Sequence, residues 1–582
     1  MKLAAVVSLG VLACGCAHNP SDQLARLSDE FVYTTLSFSP SSATTAGLHE
    51  YNGRKLDDLL DDMSPAALDG QLHFYRDFGA RLAKLAPEQL SPEDRVDVVI
   101  LRNQAALGEL ELDQVKSYLH NPTGYVETLG TALFAPLQLE YAPLPDRIRH
   151  IVARLGQVPL FLDQASTNLV SSPEIWTKVA IDENAGNIDL VDKLIRAQVP
   201  PELQESYQRA SGPALAAMRK FQDYLQNSLM ARQADWRLGQ DWYTRKFRYT
   251  MQTGTDPNTL LLAASRDMDA VRAHMLELAL PLHKQIQPRH KEDATLTGDE
   301  RINQIVGEVL AGIAARHSTR ESYMDDAKQD LVEARAFVQQ KHLLTLPSGS
   351  NLQVIPTPQF MRGAYSVGGF DPAPPLEPRL GAYYWVTPIP TGWPAAQAES
   401  KLREYNFYKL KLLTIHEAMP GHYVQFEFAN GVEPKGRRLL RAVFGNGPYI
   451  EGWGQYAEQT MLDEGFLNHS PEMELTFAKE RLRVIANAIL DIRLETLNMS
   501  DQDALDLMEK QAFQEHEEAI EKLQRAKLSS CQLPTYYSGW NGWLEARQNY
   551  RQRHPGAALA AFNDAALREG AVPLSTLPGL LK

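Results

Sequence analysis

Proline interrupting a helical pattern is the feature that most limits what this chain can become. From Ser21 to about Gln340, apolar residues recur at helical spacing with polar residues between them, as in Leu24, Leu27 and Phe31, or Leu56, Leu59, Leu60 and Met63. Inside a helix, proline removes a hydrogen bond and crowds the preceding turn. Ser39-Pro40, Pro87, Ser91-Pro92, Asn121-Pro122 and Pro200-Pro201 therefore mark joints, and the region reads as a string of amphipathic helices. No repeat with a period of about 20 to 50 residues is visible, which argues against a solenoid.

The texture changes between about Leu343 and Trp393, where prolines and glycines punctuate short aromatic and β-branched runs. Ala382 to Thr387 is the clearest strand. Helical texture returns from about Ala395 through Lys527, a turn-rich aromatic segment spans Leu533 to Trp540, and the end reads as helix again. The expected fold is mostly α, a large multi-helix body with a small β-sheet beside a deep active-site channel. Residues 21–340 form its N-terminal helical region and 341–582 its catalytic region, the two continuous as one unit.

Across 582 residues, 58 Lys plus Arg against 72 Asp plus Glu give a net charge of −14. An acidic chain without a basic run is a poor match for a nucleic-acid binder, which must neutralise phosphates. Of three cysteines, Cys14 and Cys16 lie at the N-terminus and only Cys531 in the body, so no internal disulfide holds the fold. One lysine, an apolar run from Leu3 to Ala13, and small residues around the cysteines match an export signal of the lipoprotein kind over residues 1–16. Cys14 and Cys16 both fit acylation, and Cys16 fits better. The expected membrane contact is that N-terminal lipid anchor alone, with the body in the periplasm or outside the cell, because no other stretch of about 18 apolar residues occurs.

Chemistry concentrates in His416-Glu417-Ala418-Met419-Pro420-Gly421-His422. Zinc-hydrolase helices usually carry two histidines four residues apart, with a glutamate beside the first as general base. Here the spacing is six, about 240° around a helix, so one unbroken helix cannot present both rings to one ion. Pro420-Gly421 supply the needed break. Downstream, Glu451, Gln455 and Glu458 share one helical stripe. Glu451 is the candidate third ligand, and Gln455 or Glu458 would orient a histidine. Two histidines and a carboxylate leave a position for water, the composition of a catalytic zinc site. The His516-Glu517-Glu518 cluster reads instead as a solvated charged face. No Gly-x-Ser-x-Gly elbow is present, and Gly431 to Gly436 lacks the Lys-Ser/Thr of a phosphate loop.

These residues resemble the family called domain of unknown function 885, grouped with gluzincin-type zinc metallopeptidases. The resemblance rests on His416 to His422 with Gln425, on Glu451-Gly452-Trp453 with Tyr456 and Glu458, and on Gln532 to Gly539. Weaker echoes lie at Pro40, Ala43, Thr44 and Gly47, and at Gly381 to Tyr384. It implies Zn2+ held by His416, His422 and Glu451, a zinc-bound water, Glu417 as general base, and Tyr536 steadying the oxyanion of a peptide substrate. Glu495 stands where relatives carry a histidine, and Asn498-Met499 where they carry Gly-Trp. Two rival expectations follow: a zinc hydrolase of non-peptide amides or esters, or a binding lipoprotein with a vestigial site. The strand Ala382 to Thr387 is expected to offer an edge on which an extended peptide can lie.

Overall fold

The computed structural model describes residues 19–289, 295–347, 351–362 and 365–581. The signal segment with Cys14 and Cys16 lies outside them. The chain is mostly α-helical with one three-stranded sheet and a two-residue hairpin. The expected joints are real, and their prolines occupy the first turn of the next helix, where a missing N–H costs nothing. Ser39, Ser91 and Asn121 precede them, and each accepts a backbone N–H as the cap.

The apolar packing forms two cores. One is built from residues between Tyr125 and Leu229 with Leu60, the other from the remaining N-terminal helices together with the C-terminal half. The second is anchored by the long helix Pro257–Ile286 packed on Pro471–Thr496. The weak family echoes near the start have a structural role. Buried Arg154 donates to Thr44 Oγ1 and to the Pro40 carbonyl, and Thr44 donates to Asp57 at 2.7 Å.

Three expectations fail, two of them in local structure. Leu56 to Met63 is not a helix: a short 3-10 turn, Leu56–Asp58, leads into extended chain. Its N–H groups at Leu60 and Met63 are taken by Gln157 and Gln164, so tertiary partners replace a helical ladder. Leu533 to Trp540 is not turn-rich either, because Pro534 opens a helix, Pro534–Arg553. Gly539 there serves close approach: a Cβ on it would overlap the Pro448 carbonyl, and Gly452 lies opposite.

The sheet comprises β1 (Leu352–Pro356), β2 (Gly368–Asp371) and β3 (Ala382–Val386). β3 is central, parallel to β1 and antiparallel to β2. The expected edge role of β3 is therefore wrong, since both its sides are paired. Its run of five buried residues is the pattern of an interior strand. The free edge near the site belongs to β2.

Candidate metal centre

The site is assembled by six helices: α1 (Phe407–Glu417), α2 (His422–Ala429), α3 (Gly447–Asp463), α4 (Pro471–Thr496), α5 (His516–Leu528) and α6 (Pro534–Arg553). Asn406 caps α1, and Tyr384 on β3 meets Thr414 at 3.2 Å, fixing α1 against the sheet. After Glu417 the helix stops, and the Gly421 N–H reaches back to the Ile415 carbonyl at 2.9 Å. A Cβ at Gly421 would overlap the carbonyl oxygens of His416 and Ile415, so only glycine fits this turn. The Trp453 indole N–H donates to the Pro420 and Gly421 carbonyls at 3.0 and 3.1 Å, pinning the break from the facing helix.

The break turns both histidines inward. Their rings are 4.7 Å apart and nearly perpendicular, at 88°. Each Nε2 lies 3.6 Å from Glu451 Oε2. One ligand atom from each of His416, His422 and Glu451 falls within 4.8 Å of the others. Ligands of a tetrahedral zinc held at about 2.1 Å stand about 3.4 Å from one another, so the spacing fits one ion. The three residues expected as ligands are thus brought together.

Their orientation is held from behind. His416 Nδ1 meets Glu458 Oε1 at 2.8 Å, and the Gln455 amide donates to the same oxygen at 3.1 Å. With Nδ1 directed at Glu458, Nε2 is the ring atom left facing the site, where a metal would take the place of its proton. His422 Nδ1 meets Gln425 Oε1 at 3.3 Å, and the Gln425 amide donates to the Tyr449 carbonyl. Gly454 leaves room for the His416 ring, which a Cβ there would overlap.

The centre is electronegative. Burial works against a charged His416, yet Glu451, Glu458 and Glu417 outweigh it and raise its pKa to about 10. Burial pushes Glu451 up, but the two histidines prevail and hold it well below the usual carboxylate range. Burial raises Glu417, partly opposed by the two imidazoles. His416, His422 and Glu451 together form a donor set that could hold a divalent metal ion. The Tyr536 ring lies 6.3 Å from that of His416. Burial and then Glu451 raise its hydroxyl to about 12, so it keeps its proton.

The site opens between the two cores into a cleft of about 490 Å3. Glu127 and Glu183 line one wall, and Glu417, His422 and Glu451 the other. Gly368, Gly369 and Phe370 of β2 border it. A recess of about 80 Å3 lies behind Glu417, and Gly368, Glu417, Arg525 and Tyr536 line both spaces.

Two sequence readings change here. Of the supposed solvated face on α5, His516 is exposed and pairs with Glu509 at 2.8 Å. Glu518, however, is buried and holds Lys401 and Arg483, each at 3.2 Å. Glu495 does not line either space. It lies eight residues, about 12 Å along α4, beyond Asn487, and accepts the Leu238 N–H at 2.7 Å. Sequence reasoning missed Gly454, Lys522 and Arg525, and saw Gln425 only as part of a resemblance.

A family described as a bacterial protein of unknown function, DUF885, matches residues 40–581. The chain belongs to this family. Among curated proteins none matches its sequence. It is similar to a candidate lipoprotein of unknown function from Shewanella oneidensis, 27% identical with a TM-score of 0.77, covering 96% of this chain and 99% of that one. A candidate lipoprotein from Colwellia psychrerythraea shares the fold at 16% identity and a TM-score of 0.76, over 97% and 98% of the two chains. The DUF885 match includes every residue of the centre, from His416 to Tyr536.

Proposed function

We propose that this protein is a zinc-dependent hydrolase acting on peptides, with Glu417 as general base. The observation that carries the reading is the convergence of His416, His422 and Glu451 beside the partly buried Glu417. A zinc ion held by those three would supply Lewis acidity toward a substrate carbonyl and toward water.

The chain's own groups do the remaining work. Glu417 takes a proton from the attacking water and delivers it to the leaving nitrogen. The C–N bond breaks, the hydroxyl stays on the acyl carbon, and an amine departs. Tyr536 donates a hydrogen bond to the carbonyl oxygen as negative charge grows there, a contribution of ~3 kcal/mol at comparable sites. Glu458 and Gln425 keep the two imidazoles aimed while this happens. The free, glycine-bearing edge of β2 favours a peptide over a simple ester, because it offers main-chain hydrogen bonds to an extended chain. Glu495 lines neither the cleft nor the recess.

The test is mass spectrometry of a peptide library incubated with zinc-loaded protein and with Glu417→Gln. New termini made by the native protein alone, and lost on chelation, are the expected result. Hydrolysis restricted to a parallel ester panel would overturn the substrate class.

The same reading places the protein outside the cytoplasm, tethered through Cys16 and facing the periplasm or the cell exterior. Its support is the N-terminal sequence pattern together with the lipoprotein names of its structural relatives. No helix among the described residues is long and apolar enough to cross a membrane. Palmitate labelling lost in Cys16→Ser is the expected outcome, and labelling that persists there contradicts it.

A further inference from the structure

The recess behind Glu417 is lined by two basic side chains, Lys522 and Arg525, that no carboxylate among the described residues touches. Lys522 and Arg525 lie three residues apart on α5, hence on one face. Lys522 is 5% exposed and makes no hydrogen bond or ion pair among the described residues. Arg525 donates to the neutral Gln532 at 3.4 Å and lies against Tyr536. The acid acting on it is Glu451, whose charge a metal would take up.

Of the other acids nearby, Glu417 stands where the recess meets the cleft, and Glu458 is bonded through one oxygen to His416 and Gln455. Glu480 takes Lys409 and Arg483, and Glu518 takes Lys401 and Arg483. An unpaired ammonium is costly to bury. Burial, then Arg483 and Arg525, push the Lys522 pKa well below its ordinary value, with Glu518 opposing them only in part, a penalty that an incoming anion relieves. The far wall of the cleft has the opposite sign. Glu127 is an exposed acid and Glu183 a buried one, and Glu183 Oε2 has no partner among the described residues. A carboxylate is therefore matched by the Lys522 and Arg525 side chains and not by the Glu127 and Glu183 side of the cleft.

We propose that Lys522 and Arg525 grip the free C-terminal carboxylate of a peptide, so that the enzyme acts as a carboxypeptidase releasing a short C-terminal piece. This rests on the hydrolase reading above and names its substrate class. The carboxylate in the recess sets the scissile carbonyl beside Glu417 and Tyr536. The leaving amine then belongs to the released piece.

The experiment compares trialanine with trialanine amide as substrates of the full, zinc-loaded protein, and as ligands of Glu417→Gln by calorimetry. A site built around buried charge should favour the acid by about 100-fold in kcat/KM and in affinity. Lys522→Met should shrink both ratios below about threefold, and Lys522→Arg should restore most of them. Should Lys522→Met not fold, Arg525→Gln carries the same comparison. Equal handling of acid and amide by the native site, or a full preference surviving in Lys522→Met, overturns the carboxylate grip. If native protein cleaves neither compound while Glu417→Gln still prefers the acid through Lys522, the hydrolase reading falls and the grip stands.

Discussion

Two stripes of charge in this molecule have the same spacing and opposite chemistry. Glu451, Gln455 and Glu458 on α3 repeat at i, i+4 and i+7, and so do Glu518, Lys522 and Arg525 on α5. Both lie inside the fold instead of on its surface. The first faces two imidazoles swung inward by the break at Pro420-Gly421 and gathers negative charge around them. The second has its acid consumed by Lys401 and Arg483 and is left with unspent positive charge. A stripe's role is thus decided by what the facing helices offer, while the spacing says only that three side chains share a face. One stripe is suited to a cation and the other to an anion, and Glu417 stands between them.

Substitutions that break or sharpen this contrast differ in size. Glu417→Gln acts at the junction and should lower kcat by about 10^3-fold, the range of a lost general base, with zinc content unchanged. Tyr536→Phe removes the donor on the same border and should cost about 10^2-fold in kcat with little change in KM. Glu458→Gln blunts the α3 stripe alone. Zinc affinity should fall by about 10- to 100-fold because His416 loses its anionic anchor, while the preference for peptide acid over amide persists. Gly454→Ala drives a methyl group into the His416 ring and should weaken zinc in the same assay.

Glu495→Gln should change least. Burial raises the Glu495 pKa to about 7, opposed by the Leu238 N–H. A carboxyl whose folded pKa exceeds its unfolded value binds more protons when folded, so its contribution falls as pH rises from about 4.5 through 7. Glu495→Gln should flatten that part of the stability profile in thermal melts and leave kcat/KM within about threefold. A large loss of activity would place this position in the catalytic machinery after all.

Much of the fold was legible because proline acts locally. The joints at Pro40, Pro92 and Pro122 follow from the ring itself, whatever the tertiary context. Leu56 to Met63 misled because its apolar spacing suits a helix while its N–H groups are satisfied by Gln157 and Gln164 from distant helices. The centre was legible at His416, Glu417, His422 and Glu451, since the six-residue spacing came with the residues able to break the helix. Strand order was not, because a buried central strand and a buried edge strand read alike. Lys522 and Arg525 escaped notice for a related reason: beside Glu517, Glu518 and Glu521 they look like an ordinary wet face. Only the burial of Glu518, and its capture by Lys401 and Arg483, leaves them without an acid in direct contact.

The most direct test of the account is anomalous diffraction at the zinc edge from crystals of protein incubated with one equivalent of zinc. One peak about 2.0 to 2.2 Å from His416 Nε2, His422 Nε2 and a Glu451 oxygen is the predicted result, and His422→Ala should abolish it. Zinc bound elsewhere, or a centre that stays empty while His416 keeps its ion pair with Glu451, would contradict it.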